Sequence, residues 1–219
     1  MSQGVKWMNY QLEMEKIIES EIEKNRVPRL LLHACCAPCS SRVLEVLGNY
    51  FHITILYYNP NIFPEVEFEK RLTELQRLVK ELKTKYPVEV WPGRYDPKEF
   101  FTMAKGHEKD KEGGERCFKC YRLRLEETAK LAKEYQFDYF TTTLSISPYK
   151  NSRVLNEIGQ ELADKYHLAY LFANFKKKNG YHRSIELSQE YHLYRQDYCG
   201  CIYSKQERDE KKKKEVLLS

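Results

Sequence analysis

The chain has 219 residues, 42% of them hydrophobic and 32% charged, with a formal net charge of +5. That length and balance fit one globular domain with appendages and exclude a disordered or fibrous chain. No apolar run is long enough to span a bilayer and the first residues carry no signal-peptide pattern, so a cytoplasmic protein with no membrane partner is expected.

Residues 9–25 space Leu12, Ile17, Ile18 and Ile22 along one helical face, and Val27-Pro28 ends it. The apolar run at 29–34 predicts a buried strand, followed at once by HACCAPCS. A helix is predicted over 40–50, stopped by Gly48, and a β-branched and aromatic strand over 52–59. Pro64 opens a long helix, 88–93 reads as a third strand, and 97–105 as a short helix. The segment 106–117 is rich in glycine and charge and predicts an exposed, mobile loop. A helix follows through 120–135, then a fourth strand over 137–147, a helix over 152–167, a fifth strand over 168–175 and a helix over 184–194. The charged end reads as an exposed helix or a frayed tail.

Strands alternating with helices predict an α/β fold: a mainly parallel five-stranded sheet flanked by helices, Rossmann-like in architecture. Residues 1–28 form an N-terminal helical appendage in this reading, 29–204 a metal-binding α/β domain, and 205–219 a charged C-terminal tail. Ligands of such folds sit beyond the carboxyl ends of the strands. The first cysteine group lies there.

Seven cysteines fall into three groups: Cys35-Cys36-x-x-Cys39, Cys117-x-x-Cys120 and Cys199-x-Cys201. Structural disulfides are rare in a reducing compartment, and an odd count argues against a simple disulfide framework. Thiols this closely spaced can share one metal centre or close a redox-active disulfide. Cys35, Cys36, Cys117 and Cys120 could supply a four-thiolate centre. Zinc competes for such a site, but two adjacent thiols followed by Pro38-Cys39 do not match a zinc-knuckle spacing. Iron–sulfur clusters accept more varied spacings and are favoured. Cys199 and Cys201 could instead form an easily reduced disulfide around Gly200, or bind a second metal with Asp197 as a carboxylate ligand. The plain alternative for Asp197 is a surface ion pair with Arg195. His33 is expected to be a hydrogen-bonded core residue. Tyr57, Tyr58 and Tyr149 lie near strand ends, where a base could stack, although packing is the commoner role. The modest positive charge is compatible with an RNA partner without demanding one.

Taken together, LHACCAPCS, ERCFKCYRLRL and YRQDYCGCIYS, with YYNPNI and TTLSISPYKN, resemble the QueH family of epoxyqueuosine reductases from about Leu30 to Ser204. The resemblance implies an oxidoreductase of tRNA processing that completes queuosine biosynthesis. It reduces the epoxide of epoxyqueuosine at the wobble position, without cobalamin. It implies a 4Fe-4S cluster on Cys35, Cys36, Cys117 and Cys120. Cys199 and Cys201 would be a redox-active pair, or ligands with Asp197 of a second, mononuclear iron. Cys39 has no assigned role. Asn59, Tyr149, Lys150 and Arg195 are candidate substrate residues. The partners implied are tRNA bearing epoxyqueuosine and an external low-potential electron donor, since no flavin or nicotinamide motif is present. The fold also looks like that of PP-loop ATP pyrophosphatases. The glycines of their pyrophosphate loop are missing here and Pro38 removes a backbone donor. Two rivals are a tRNA-thiolating enzyme on that fold and a zinc-stabilised RNA-binding module.

Overall fold

The structure, a computed structural model, describes residues 8–218, with side chains described through 215. The first seven residues of the expected appendage, and with them the signal-peptide reading, lie outside the described residues, as does Ser219 of the tail. Strands β1 (Arg29–His33), β2 (His52–Tyr57), β3 (Val88–Pro92), β4 (Tyr139–Thr142) and β5 (Ala169–Tyr170) form one sheet in the order β3-β2-β1-β4-β5. Every pairing is parallel. The helices are α1 (Tyr10–Glu23), α2 (Ala37–Leu47), α3 (Glu65–Glu81), α4 (Pro97–Ala104), α5 (Glu115–Glu134), α6 (Ser152–Tyr166), α7 (Gly180–Glu190) and α8 (Ile202–Leu218). None of them is long and apolar enough to cross a membrane.

Both faces of the sheet are covered, which is why β1 reads as an unbroken apolar run rather than an alternation. Leu30 and Leu32 point into one layer with Val43, Leu44 and Leu75. Leu31 points into the other with Leu125, Phe140 and Leu162. All three β1 leucines are fully buried, and truncating any of them to alanine is expected to cost about 2–5 kcal/mol. From α1, Met14 and Ile18 join the first layer.

Two predicted strands are shorter than the apolar pattern suggests. After Thr142 the chain turns into a 3-10 helix, Thr143–Ile146, and Thr142 Oγ1 accepts from Leu144 N at 3.1 Å. The 168–175 run pairs only at Ala169–Tyr170, although Leu171, Ala173 and Phe175 stay buried. Asn156 takes the place of a neighbouring strand there. Its Nδ2 donates to Ala173 O at 2.8 Å and its Oδ1 accepts from Ala173 N at 2.9 Å. Apolar periodicity reports burial, and these segments are buried without a ladder. The 106–114 loop is tied down by Arg116, whose Nη1 donates to the carbonyls of His107, Glu108 and Asp110. The charged tail continues as helix α8.

Candidate metal centre

Strands β1 and β4 are neighbours, and the chain leaves them towards opposite halves of the sheet. That is the switch point where doubly wound folds open a crevice. A cleft of about 610 Å³ lies here. Its walls come from Cys35 and Cys39 after β1, Ser147 to Lys150 after β4, Arg124 of α5, Tyr181 and Ser184 of α7, the 195–199 turn, and Arg208 and Lys211 of α8.

The first cysteine group is built by the start of α2. Cys36 is its N-cap, with extended backbone, and Cys39 lies in its first turn. Three sulfurs, Cys35, Cys36 and Cys39, lie within 4.8 Å of one another, and Cys35 Sγ stands 3.8 Å from Cys36 Sγ. This is the one such group of His, Cys, Asp or Glu among the described residues. Hydrogen bonds from Cys35 and Cys39 hold the Cys36 thiol well below its ordinary value. Cys39 moves the opposite way, well up, through its contacts with Cys35 and Cys36 and through burial. Of the three thiols Cys36 is the one whose surroundings most favour the thiolate, at a helix N-terminus that favours negative charge.

Cys117 and Cys120 sit in the first two turns of α5. A helix start favours thiolates, but here burial dominates. It pushes Cys120 up to about 12 and raises Cys117 too, although Gly113 N donates to Cys117 Sγ at 3.3 Å. Cys201 packs with Cys120, Phe100 and Ala104, and its sulfur accepts from Ser204 N at 3.4 Å. Cys199 Sγ accepts from Lys150 Nζ at 3.2 Å. Charge interactions link Cys117, Cys120, Cys199 and Cys201, so the second and third groups form one neighbourhood. The Cys-Gly-Cys turn needs its glycine: Gly200 has φ +121°, and a Cβ there would meet Arg71 Nη1 and Ile62 Cγ1 at 3.0 Å. All seven cysteines are free, so the Cys199–Cys201 disulfide is not formed here.

Three arginines are almost wholly buried beside these thiols. Arg71 Nε donates to Glu67 Oε1 at 2.7 Å and its Nη1 to Cys199 O at 3.0 Å, which fixes the turn. Arg116 reaches Glu207 at 3.4 Å besides its loop carbonyls. Arg124 donates through Nε to Cys120 O at 3.2 Å, while its buried Nη2 has no partner. Lys150 is buried as well. Burial alone would lower its pKa, but Cys199 and Tyr121 outweigh that and raise it well above the ordinary value.

Asp197 does not join the sulfurs. Its carboxylate is exposed and ion-paired with Arg208 and Lys212 of α8, which hold it down to about 2. The Asp197–Arg195 pair does not form either: Arg195 Nη1 donates to Ser188 Oγ at 2.9 Å. Of the candidate substrate residues, Tyr149, Lys150 and Arg195 line the cleft, and Tyr149 is 74% exposed. Asn59 is fully buried, donates to Ala34 O at 2.8 Å behind the first cysteine group, and leaves Oδ1 unpaired. His33 is a buried core residue between Thr142 Oγ1 at 2.9 Å and Tyr58 O at 3.2 Å. Because that carbonyl only accepts, Nε2 carries the proton and Nδ1 accepts from Thr142. Tyr57 and Tyr58 are buried too, with hydroxyls on Phe68 O and Glu99.

Sequence reasoning grouped Cys39 with Cys35 and Cys36 but gave it no role, and it missed the buried arginines. A signal was present. Arg124 falls on the α5 stripe Cys120, Tyr121, Leu125, Thr128, and Arg71 on the α3 stripe Phe68, Leu72, Leu75. A cation on the apolar stripe of a helix points inward, towards something anionic. The donor set suits a metal: three soft sulfurs in buried surroundings, with a buried cation nearby whose charge is not met.

A family model described as epoxyqueuosine reductase QueH matches residues 30–207. An epoxyqueuosine reductase QueH from Streptococcus pyogenes serotype M1 is 41% identical over 199 residues, covering 90% of this chain and 78% of that protein. One from Staphylococcus epidermidis is 40% identical over 201 residues, covering 90% and 84%. One from Thermotoga maritima is 36% identical over 188 residues, covering 83% and 93%. A solved structure described as a predicted subunit of tRNA methyltransferase, from Methanocaldococcus jannaschii, aligns at TM-score 0.44 and 16% identity over 72% of this chain and 76% of that one.

Proposed function

Because this chain belongs to the epoxyqueuosine reductase QueH family, we propose that it reduces epoxyqueuosine to queuosine at the wobble position of tRNA, in the cytoplasm and without cobalamin. Both carbon–oxygen bonds of the epoxide break. Two electrons and two protons are consumed, the oxygen leaves as water, and the two carbons become a double bond. The observation that carries this reading is that the first and third cysteine groups border one cleft at the switch point of the sheet, with the second group linked by charge to the third.

We assign Cys35, Cys36, Cys117 and Cys120 as ligands of a 4Fe-4S cluster. When bound, it would supply electrons singly, drawn from an external low-potential donor. Cys39 is left outside this ligand set as a supporting thiol, although its sulfur lies within 4.8 Å of Cys35 and Cys36. Tyr149, exposed at the rim, offers a face on which the modified base can stack. Lys211 and Arg195 lie along the same cleft, where a phosphate can approach. Lys150 keeps a positive charge against Cys199.

The ion pairs of Asp197 favour the dithiol reading of Cys199 and Cys201 over a second iron. The Asp197 carboxylate is engaged by Arg208 and Lys212 rather than by those sulfurs. Oxidation of two thiols to a disulfide releases two electrons and two protons, the number one epoxide consumes. The external donor then regenerates the dithiol.

Anaerobic purification tests the whole reading. The expected protein is brown, contains iron and acid-labile sulfide, and converts epoxyqueuosine in tRNA to queuosine when given a low-potential reductant. Colourless protein with stoichiometric zinc, after anaerobic handling, would sink it. ATP turnover with sulfur transfer would replace it with a thiolation enzyme.

A further inference from the structure

Three arginines are buried to 2% exposure or less, and they are not equivalent. Arg71 is neutralised by Glu67, and Arg116 by five groups that include Glu207 and the face of Tyr203. Arg124 has one hydrogen bond, to Cys120 O, and no carboxylate pairs with it among the described residues. Its free Nη2 is buried, while the side chain lines the cleft. A guanidinium stays charged wherever it is put. Burying one without an anion is strongly unfavourable, so a folded chain that does so holds an anion there in its working state. Arg124 lines the cleft with Cys35, Cys39 and Cys199 and donates to Cys120 O, so thiols are at hand to supply the missing charge.

We propose that Arg124 is the buried counter-charge of the thiolate metal centre, a positioning residue that stabilises its anionic forms and raises its reduction potential. The proposal rests on the iron–sulfur reading above. A cluster on four thiolates is an anion, and adding an electron makes it more so. A fixed cation beside it therefore favours the reduced form and the loaded form. Lys150, on Cys199, adds a second buried positive charge from another loop.

The test compares wild type, Arg124→Lys and Arg124→Met after anaerobic reconstitution with ferrous iron and sulfide. Iron and sulfide are counted, and the reduction midpoint is read by spectroelectrochemical titration. Arg124→Met is expected to load less metal and to show a lower midpoint, and Arg124→Lys to recover most of both. A fully loaded Arg124→Met with the wild-type midpoint overturns the proposal. If Arg124→Met does not load, the melting temperature of the metal-free, reduced protein decides. Without metal, Arg124 is an uncompensated charge, so Arg124→Met should melt at or above wild type. Melting well below it, or failing to fold, makes Arg124 a structural bolt through Cys120 O and also overturns the proposal. A wild type that takes up no iron and sulfide defeats the cofactor reading itself, which is a different result.

Discussion

Lys150 Nζ stands 3.2 Å from Cys199 Sγ, and the carbonyl oxygen of Lys150 accepts from Lys176 Nζ at 2.8 Å. The loop after β4 and the turn before α8 are thus joined through the one cysteine that faces both a lysine and the cleft. An ammonium donor on a sulfur stabilises negative charge there, and the thiolate is the reactive form. In metal-free, reduced protein, Lys150→Met is expected to slow alkylation of Cys199 by iodoacetamide at neutral pH. The modified peptide is quantified by mass spectrometry. Unchanged labelling would mean the contact does not govern Cys199.

Gly200→Ala tests the turn itself. The residue sits at φ +121°, and an added methyl would stand 3.0 Å from Arg71 Nη1, so both backbone strain and crowding oppose the change. The expected loss is about 1–3 kcal/mol in urea unfolding of the reduced protein. Displacement of Arg71 should also free the carbonyl of Cys199, which it holds at 3.0 Å. Activity is expected to fall further than stability, because the two thiols lose their setting.

Much of the molecule is readable from the chain because burial and chemistry coincide in β1, where an apolar run ends on paired cysteines. The parallel sheet follows from alternation, and the crevice from the position of Cys35 and Cys36. The parts that are not readable depend on contacts far apart in sequence. Residues 171–175 read as strand because they are buried, yet Asn156 satisfies Ala173 in place of a ladder. Asp197, two residues before Cys199, reads as a ligand, and only the fold of α8 brings Arg208 and Lys212 onto it. Arg124 reads as ordinary surface charge until its place on the α5 stripe is compared with its neighbours.

The wall carrying Tyr181 and Ser184 is anchored to α2 by charge. Glu45 accepts from Arg42 Nη1 at 2.6 Å and Arg183 Nη2 at 2.7 Å. Partial burial pushes its carboxyl up, but Arg183 and Arg42 more than reverse that and the net shift is down. A depressed folded-state pKa contributes stability above the unfolded value, near ~4.3, and loses it as pH falls through the lower folded value. Glu45→Gln is expected to lose about 1 kcal/mol at neutral pH. Its thermal unfolding curve should converge on wild type once the pH has fallen through the lowered folded-state value. A gap that persists in acid would assign the loss to packing.

Binding of tRNA should depend on salt. Lys211, Lys213 and Lys214 are exposed on α8 with no ion-pair partner among the described residues, and Lys211 borders the cleft. The triple alanine variant is expected to bind tRNA more weakly and with a shallower slope of log affinity on log salt, by roughly 0.7–0.9 for each phosphate no longer neutralised. Turnover of a free epoxyqueuosine nucleoside, measured in parallel, should not change. An equal fall in both would place these lysines in folding rather than RNA binding.

Cys39 separates two ligand sets. Its sulfur lies within 4.8 Å of Cys35 and Cys36, close enough to share a metal with them. Its thiol is nevertheless pushed well up by hydrogen bonding to those two sulfurs and by burial, whereas Cys36 is held well down. Burial raises Cys117 and Cys120 as well, so the direction of the shift does not by itself pick the ligands. As a supporting donor outside the ligand set, Cys39 should be replaceable at moderate cost. Cys39→Ala is expected to keep most of its iron and sulfide, while Cys35→Ala, Cys36→Ala, Cys117→Ala and Cys120→Ala each lose most of theirs. Cys39→Ser, which retains a donor, should come closer to wild type than Cys39→Ala in the rate of cluster loss to a chelator. If Cys39→Ala instead empties the centre while Cys117→Ala or Cys120→Ala leaves it filled, the ligands are the three cysteines at the start of α2, and α5 supplies at most one.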